Sequence, residues 1–326
     1  MNIVILLSII LVICWLSNKF DMGGAKPQLS TFFSRDYTTT AKGVAILLIM
    51  IGHVSGSWAG GRILTPCGGI GVAIFLITSG YGLNESYKKR GLSGFWKKRL
   101  CRVYIPYLLV AILYAIVNQW DFQKCLLNFT CVNSPYWFVT YIIECYVAFW
   151  FFSKYLTKYR IETLSIVALS TVFLLPELQA EQALSFVSGI ILSEYNRISE
   201  RLEQKQYYSR VCIMAAIIGF SFLAFKQLPL VRAEATNLGM NIIQILIKFP
   251  LAVSILLIIY YFQHIFINPF IYLAGKISYE LYLVHFPFYT LICGRLWPAL
   301  LLLVVSFVVA YPFYKMNNLI LKKIVS

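Results

Sequence analysis

The sequence predicts an all-α protein, a polytopic integral-membrane bundle of ten or eleven helices, on three observations. Of 326 residues, 60% are hydrophobic and only 13% charged, against roughly half apolar and about a quarter charged in soluble domains. The apolar residues gather into runs that cross or nearly cross about 30 Å of hydrocarbon. Lys and Arg fall between those runs, as they do in the cytoplasmic loops of membrane proteins. That placement accounts for the net charge of +15 with no nucleic-acid partner. The partner it implies is the lipid bilayer.

In chain order the runs lie near residues 3–17, 43–59, 67–84, 103–119, 136–153, 162–176, 182–194, 211–225, 241–262, 277–294 and 297–315. The first, IVILLSIILVICWL, has no basic stretch before it and no small-residue cleavage site after it, so a retained helix is expected. It forms an additional N-terminal segment, 1–17, ahead of a main domain at 37–315 and a basic tail at 316–326. The second run follows Lys42 and carries His53. The third, GGIGVAIFLITSGYG, is glycine-rich, but no strand precedes it, so its glycines favour close helix packing over phosphate binding. The fourth follows the basic block KKRGLSGFWKKRLCR, Lys88 to Arg102. The fifth opens with YWFVTYIIECY, the ninth contains Lys248, and the tenth contains GKISYELYLVHFP. The seventh is short, which leaves ten as the fallback count. Reading sides from the basic residues puts the amino terminus outside and the carboxyl terminus in the cytoplasm.

Eight cysteines show no CxxC or Cys/His spacing suited to a metal, and no metal is expected. Cys125 and Cys131 share a loop assigned to the outside, where a disulfide is chemically permitted.

Four places carry residues able to do chemistry. Eleven residues of helix separate Lys42 from His53, so the imidazole lies about 16 Å above the cytoplasmic boundary. There it either reacts or hydrogen-bonds a neighbouring helix. Glu144, entering from the other side about 10 Å below Trp137, reaches a similar depth, where a carboxylate would orient the imidazole and raise its basicity. A structural ion pair is the alternative. Arg99 and Arg102, three apart, share a helix face and suit phosphate oxygens, or else anchor the helix to lipid headgroups. His285 lies about 13 Å in from Lys276, near the depth of His53.

Together, these stretches resemble the integral-membrane acyltransferase family 3 over roughly residues 37–315, with the fucose 4-O-acetylase-like branch nearest. The basic residue, ten residues, then His is met by Lys42 and His53, and the RxxR by Arg99 and Arg102. Phe75, Ser79 and Gly80 match the FFxxSG-like stretch, and Trp137 and Phe138 the tryptophan-led helix. Ser278, Tyr279, Tyr282, His285 and Pro287 match SYxxYLxHxP. The resemblance implies a bacterial inner-membrane enzyme that passes an acyl group, most often acetyl, from acyl-CoA to a sugar hydroxyl of a cell-surface or secreted glycan. His53 would deprotonate the acceptor or carry the acyl group itself, with Glu144 beside it. Lys42, Arg99, Arg102 and Ser79 would hold acetyl-CoA, and Trp137, Tyr141, Tyr282 and His285 would face the acceptor. Two departures stand out: Ala73 replaces an acidic residue many relatives carry, and Glu144 comes later than their carboxylates. A proton-coupled transporter would also use midplane histidines and a carboxylate, but the chain shows no repeat.

Overall fold

The computed structural model describes residues 2–19, 31–58, 60–131, 134–289 and 295–325, and among these every regular element is helical. The principal helices are α1 (Asn2–Lys19), α2 (Arg35–Ser55), α3 (Pro66–Arg90), α4 (Phe95–Val117), α5 (Phe122–Phe129), α6 (Trp137–Tyr155), α7 (Arg160–Leu174), α8 (Ala183–Glu194), α9 (Lys205–Lys226), α10 (Asn237–Tyr261), α11 (Pro269–Lys276), α12 (Ser278–Tyr289) and α13 (Leu296–Val325). Among the described residues, seven helices are long and apolar enough to cross a membrane: α1, α2, α4, α9, α10, the stretch Gly61–Arg90 that includes α3, and Leu296–Lys323 within α13. The runs expected at 136–153, 162–176, 182–194 and 277–294 are helical in their described parts but shorter or less apolar. Residue 59 and residues 290–294 lie outside the described residues.

Helix α2 starts seven residues before Lys42, because Ser34 caps it by accepting the Tyr37 N–H and Asp36 lies in its first turn. It packs against α3, α11 and α12. Two glycines allow this approach. A Cβ at Gly43 would overlap the Ile271 carbonyl oxygen of α11, and one at Gly52 would overlap the Gly68 backbone of α3. Nine residues at 100° each put the two glycines on opposite faces. Helix α2 is therefore gripped on one side beside Lys42 and on the other beside His53.

Residues 118–131, which follow α4, depart from the expected outer loop. Asp121 caps α5 by accepting the Lys124 N–H, and α5 then folds back along α4. The Tyr107 hydroxyl donates to the Asn128 carbonyl at 2.6 Å, and the Tyr104 hydroxyl to the Phe129 carbonyl at 2.8 Å. Helix α6 consequently begins level with Tyr107, about 15 Å short of the Val117 end of α4. Cys125 and Cys131 are separate thiols, one within α5 and one beyond its end.

Helix α13 continues through the basic tail to Val325, and the buried Asn317 amide donates to Glu280 Oε1 of α12 at 3.0 Å. Lys248, the lysine inside a predicted span, forms a buried ion pair with Glu181, whose neighbour Gln182 donates to the Gly69 carbonyl at 3.0 Å. This polar knot ties α10 to the start of α3.

Candidate functional site

At the far end of α2, His53 Nδ1 lies 2.9 Å from His285 Nε2, the rings stacked at 17° with centroids 5.1 Å apart. His285 is fully buried, and its Nδ1 lies 2.9 Å from the Leu281 carbonyl oxygen. A carbonyl can only accept, so in the neutral rings the His285 proton sits on Nδ1 and its Nε2 carries the lone pair. His53 Nδ1–H must then donate to that lone pair, and the basic nitrogen of His53 is Nε2. One backbone carbonyl thus sets both tautomers. Aromatic packing fixes the relay: the Tyr282 ring lies 5.9 Å from His285 and 5.2 Å from Phe138, and the Tyr136 hydroxyl donates to the Leu283 carbonyl at 3.0 Å.

At the opposite end of the bundle opens a cavity of about 1050 Å³ lined by Lys89 and Arg90 from α3, Lys98, Arg99 and Arg102 from α4, and Lys322 from α13. The carboxylate on its wall, Glu85, is already paired with Lys88. The arginines reach the cavity through a π-helical turn, Leu100–Tyr104, where the Ile105 N–H bonds back to the Leu100 carbonyl. Such wide turns recur at functional sites. The Arg99 guanidinium lies over the rings of Phe95 and Tyr146, 5.6 and 5.4 Å from their centroids, and its buried Nε has no hydrogen-bond partner. Lys42 lies within the positive field of both arginines. Ser79 lies beside the Tyr146 hydroxyl, which in turn senses Arg99. The structure thus gathers Lys42, Arg99, Arg102 and Ser79 at one end of α2, and His53, His285 and Tyr282 at the other.

Glu144 does not join the histidines. Its expected depth assumed that α6 starts at the membrane surface, whereas α6 starts inside, beside the Tyr136 that packs on Phe286. Seven residues beyond Trp137, Glu144 lies about 10 Å further toward the arginine end. It is two residues from Tyr146 and so faces away from Arg99. Glu144 and Tyr141 line a separate, mainly apolar pocket with Leu164, Val167 and Phe186. Trp137 is half-buried at the start of α6, its ring 6.4 Å from that of Phe138.

Sequence reasoning missed the pairing of the two imidazoles, although their similar depths signalled it. It also missed Lys89, Arg90 and Lys322 as cavity residues, because basic residues at helix ends read equally well as topology signals. A family model described as an acyltransferase domain matches residues 35–315. No curated protein and no solved structure gives a match.

Proposed function

Since the chain belongs to the acyltransferase family whose model covers residues 35–315, we propose that it is a membrane O-acyltransferase that takes acetyl from cytoplasmic acetyl-CoA and delivers it to a sugar hydroxyl of a cell-surface or secreted glycan. The enzyme would lie in the bacterial inner membrane with its amino terminus outside, as the placement of its Lys and Arg supports. The observation that carries this reading is the pairing along α2 of two unlike sites, a cation-lined cavity and a neutral imidazole relay. Eleven residues, about 16 Å of helix, separate Lys42 from His53. The extended pantetheine arm of CoA has about that reach, so phosphates held at the cavity would leave the thioester near the relay.

His53 Nε2 accepts the proton of the acceptor hydroxyl as its oxygen attacks the thioester carbonyl. The imidazolium that forms keeps its Nδ1–H bond to His285 Nε2, so His285 acts as an orienting partner. The tetrahedral adduct collapses with cleavage of the C–S bond, and the sulfur takes the proton back from His53. The products are acylated sugar and CoA–SH. Arg99, Arg102 and Lys42 hold the donor's phosphates, with Ser79 and Tyr146 steadying Arg99. Tyr282 and Trp137 shape the acceptor side.

The test is transfer of radiolabelled acetyl from acetyl-CoA to envelope glycan fragments by the purified protein, with release of free CoA in equal amount. Solute movement across proteoliposomes with no CoA release would identify a carrier and overturn the proposal.

A further inference from the structure

Four side chains of α13 line the cation cavity: Tyr314, Asn318, Leu321 and Lys322. Their spacing of four, seven and eight residues from the first puts them on one helical face. The buried bond from Asn317 to Glu280 pins that face in register. All but Tyr314 lie beyond residue 315, where the family match ends. The cations of the cavity divide into two sets, Lys98, Arg99 and Arg102 on α4 and Lys89, Arg90 and Lys322 on the other two helices. Arg99, partly buried against Phe95 and Tyr146, and Arg102, three residues on, present planar forks, with Lys42 in their field. Lys89, Arg90 and Lys322 come from the ends of α3 and α13. The end of α3 is itself braced, because Asn84 donates to Glu194 Oε2 at 2.8 Å and Arg160 bonds the same oxygen at 2.9 Å.

Accepting the acyl-CoA donor of the preceding section, we propose that Lys322, with Lys89 and Arg90, binds the 3′-phosphate of CoA, so that the C-terminal turns of α13 select CoA thioesters over dephospho-CoA thioesters. CoA carries two separated anionic groups, an internal pyrophosphate and a terminal phosphate monoester at the ribose. A monoester bears about −1.5 to −2 charge near neutral pH, more than a single cation neutralises. The paired arginine forks of α4, in whose field Lys42 lies, suit the pyrophosphate, which leads into the pantetheine arm. The outer set then meets the monoester at the adenosine end, with Asn318 beside Lys322 able to donate to it. A cavity of about 1050 Å³ stands at the top of the range of about 300–1,000 Å³ for small-molecule sites, which gives room for a nucleotide. Its carboxylate, Glu85, is occupied by Lys88 and by the Ser193 hydroxyl, which donates at 2.9 Å. It does not compete for the cations.

The experiment measures KM for acetyl-CoA and for acetyl-dephospho-CoA with the full-length chain in detergent. The wild-type enzyme should show a KM for the dephospho donor higher by about tenfold, the loss of one charge-assisted phosphate contact. In Lys322→Gln and Lys89→Gln this ratio should fall toward one, and Lys322→Arg should retain it. A wild-type ratio near one, or an unchanged ratio in both glutamine variants, overturns the proposal. Equal rises in both KM values for Lys322→Gln would assign the outer set to lipid headgroups or to folding and would also overturn it. Absence of transfer from both donors would remove the acyl-CoA reading and this inference with it.

Discussion

The two ends of α2 solve different problems with opposite means. At the His53 end, two imidazoles meet across 2.9 Å, and His285, itself fully buried, is tied to one backbone carbonyl. At the Lys42 end, cations from three helices face an open cavity of about 1050 Å³. Proton transfer depends on one tautomer in one orientation, so its site tolerates no slack. A flexible polyanion is held by several charges at once, and the loss of one leaves the others in place. Changes at the first end should therefore act on kcat in large steps, and changes at the second should act on KM in small ones.

The largest effect is expected from His53→Ala. It should lower kcat by about 10²–10⁴, the range for a lost general base, with KM for acetyl-CoA nearly unchanged. Retention of more than about a tenth of wild-type kcat would break the comparison at its chemical end. Next comes His285→Ala, which leaves the His53 Nδ1–H without its acceptor and frees the ring to change tautomer. A fall in kcat of about 10² is expected, and His285→Gln should recover part of it, because a side-chain carbonyl can accept the same hydrogen. If alanine and glutamine were equally inactive in folded protein, His285 would be doing more than orienting its partner.

Much of this was legible in the sequence. Apolar runs and basic flanks identified the longer helices, and the spacing of Lys42 from His53 needed only the rise of an α-helix. The similar depths of His53 and His285 were legible too. What hydropathy could not show is where a helix begins in depth. Segment 122–131 is polar enough to read as an outer loop, yet its helix α5 folds back along α4 through the Tyr104 and Tyr107 hydroxyls, and that shift moved Glu144 away from the histidines. Nor could the sequence distinguish a lysine that sets topology from one that lines a cavity. Lys322 reads as a tail charge until Asn317 fixes the rotation of α13.

A smaller effect, confined to the donor, should come from the cation end. Arg99→Lys and Arg102→Lys keep the charge that sets orientation but lose the planar fork. Each should raise KM for acetyl-CoA by about tenfold, equivalent to about 1.4 kcal/mol of charge-assisted hydrogen bonding, while kcat and KM for the glycan stay near wild type. Arg99 should be the more sensitive, because its guanidinium also rests over Phe95 and Tyr146. Unchanged KM in both variants would reduce the arginines to membrane anchors and leave the contrast between the two ends without a donor site.

The smallest effect is expected at Glu144, and it tests the geometry that separates the two ends. A carboxylate that orients His53 would be indispensable, and its conversion to an amide would lower kcat as steeply as the loss of His285. The structure instead gives His53 a second imidazole as its partner and puts Glu144 in the pocket with Tyr141, Leu164 and Phe186, on the face of α6 turned from Arg99. There Glu144→Gln keeps the shape and replaces a carboxyl group that belongs to neither site. Kinetic constants within about twofold of wild type, under 0.5 kcal/mol, are expected for both donor and acceptor. A drop of about 10² in kcat, with the protein still folded, would mean that α6 moves during turnover to bring Glu144 to the imidazoles. The relay drawn here would then be only its resting arrangement.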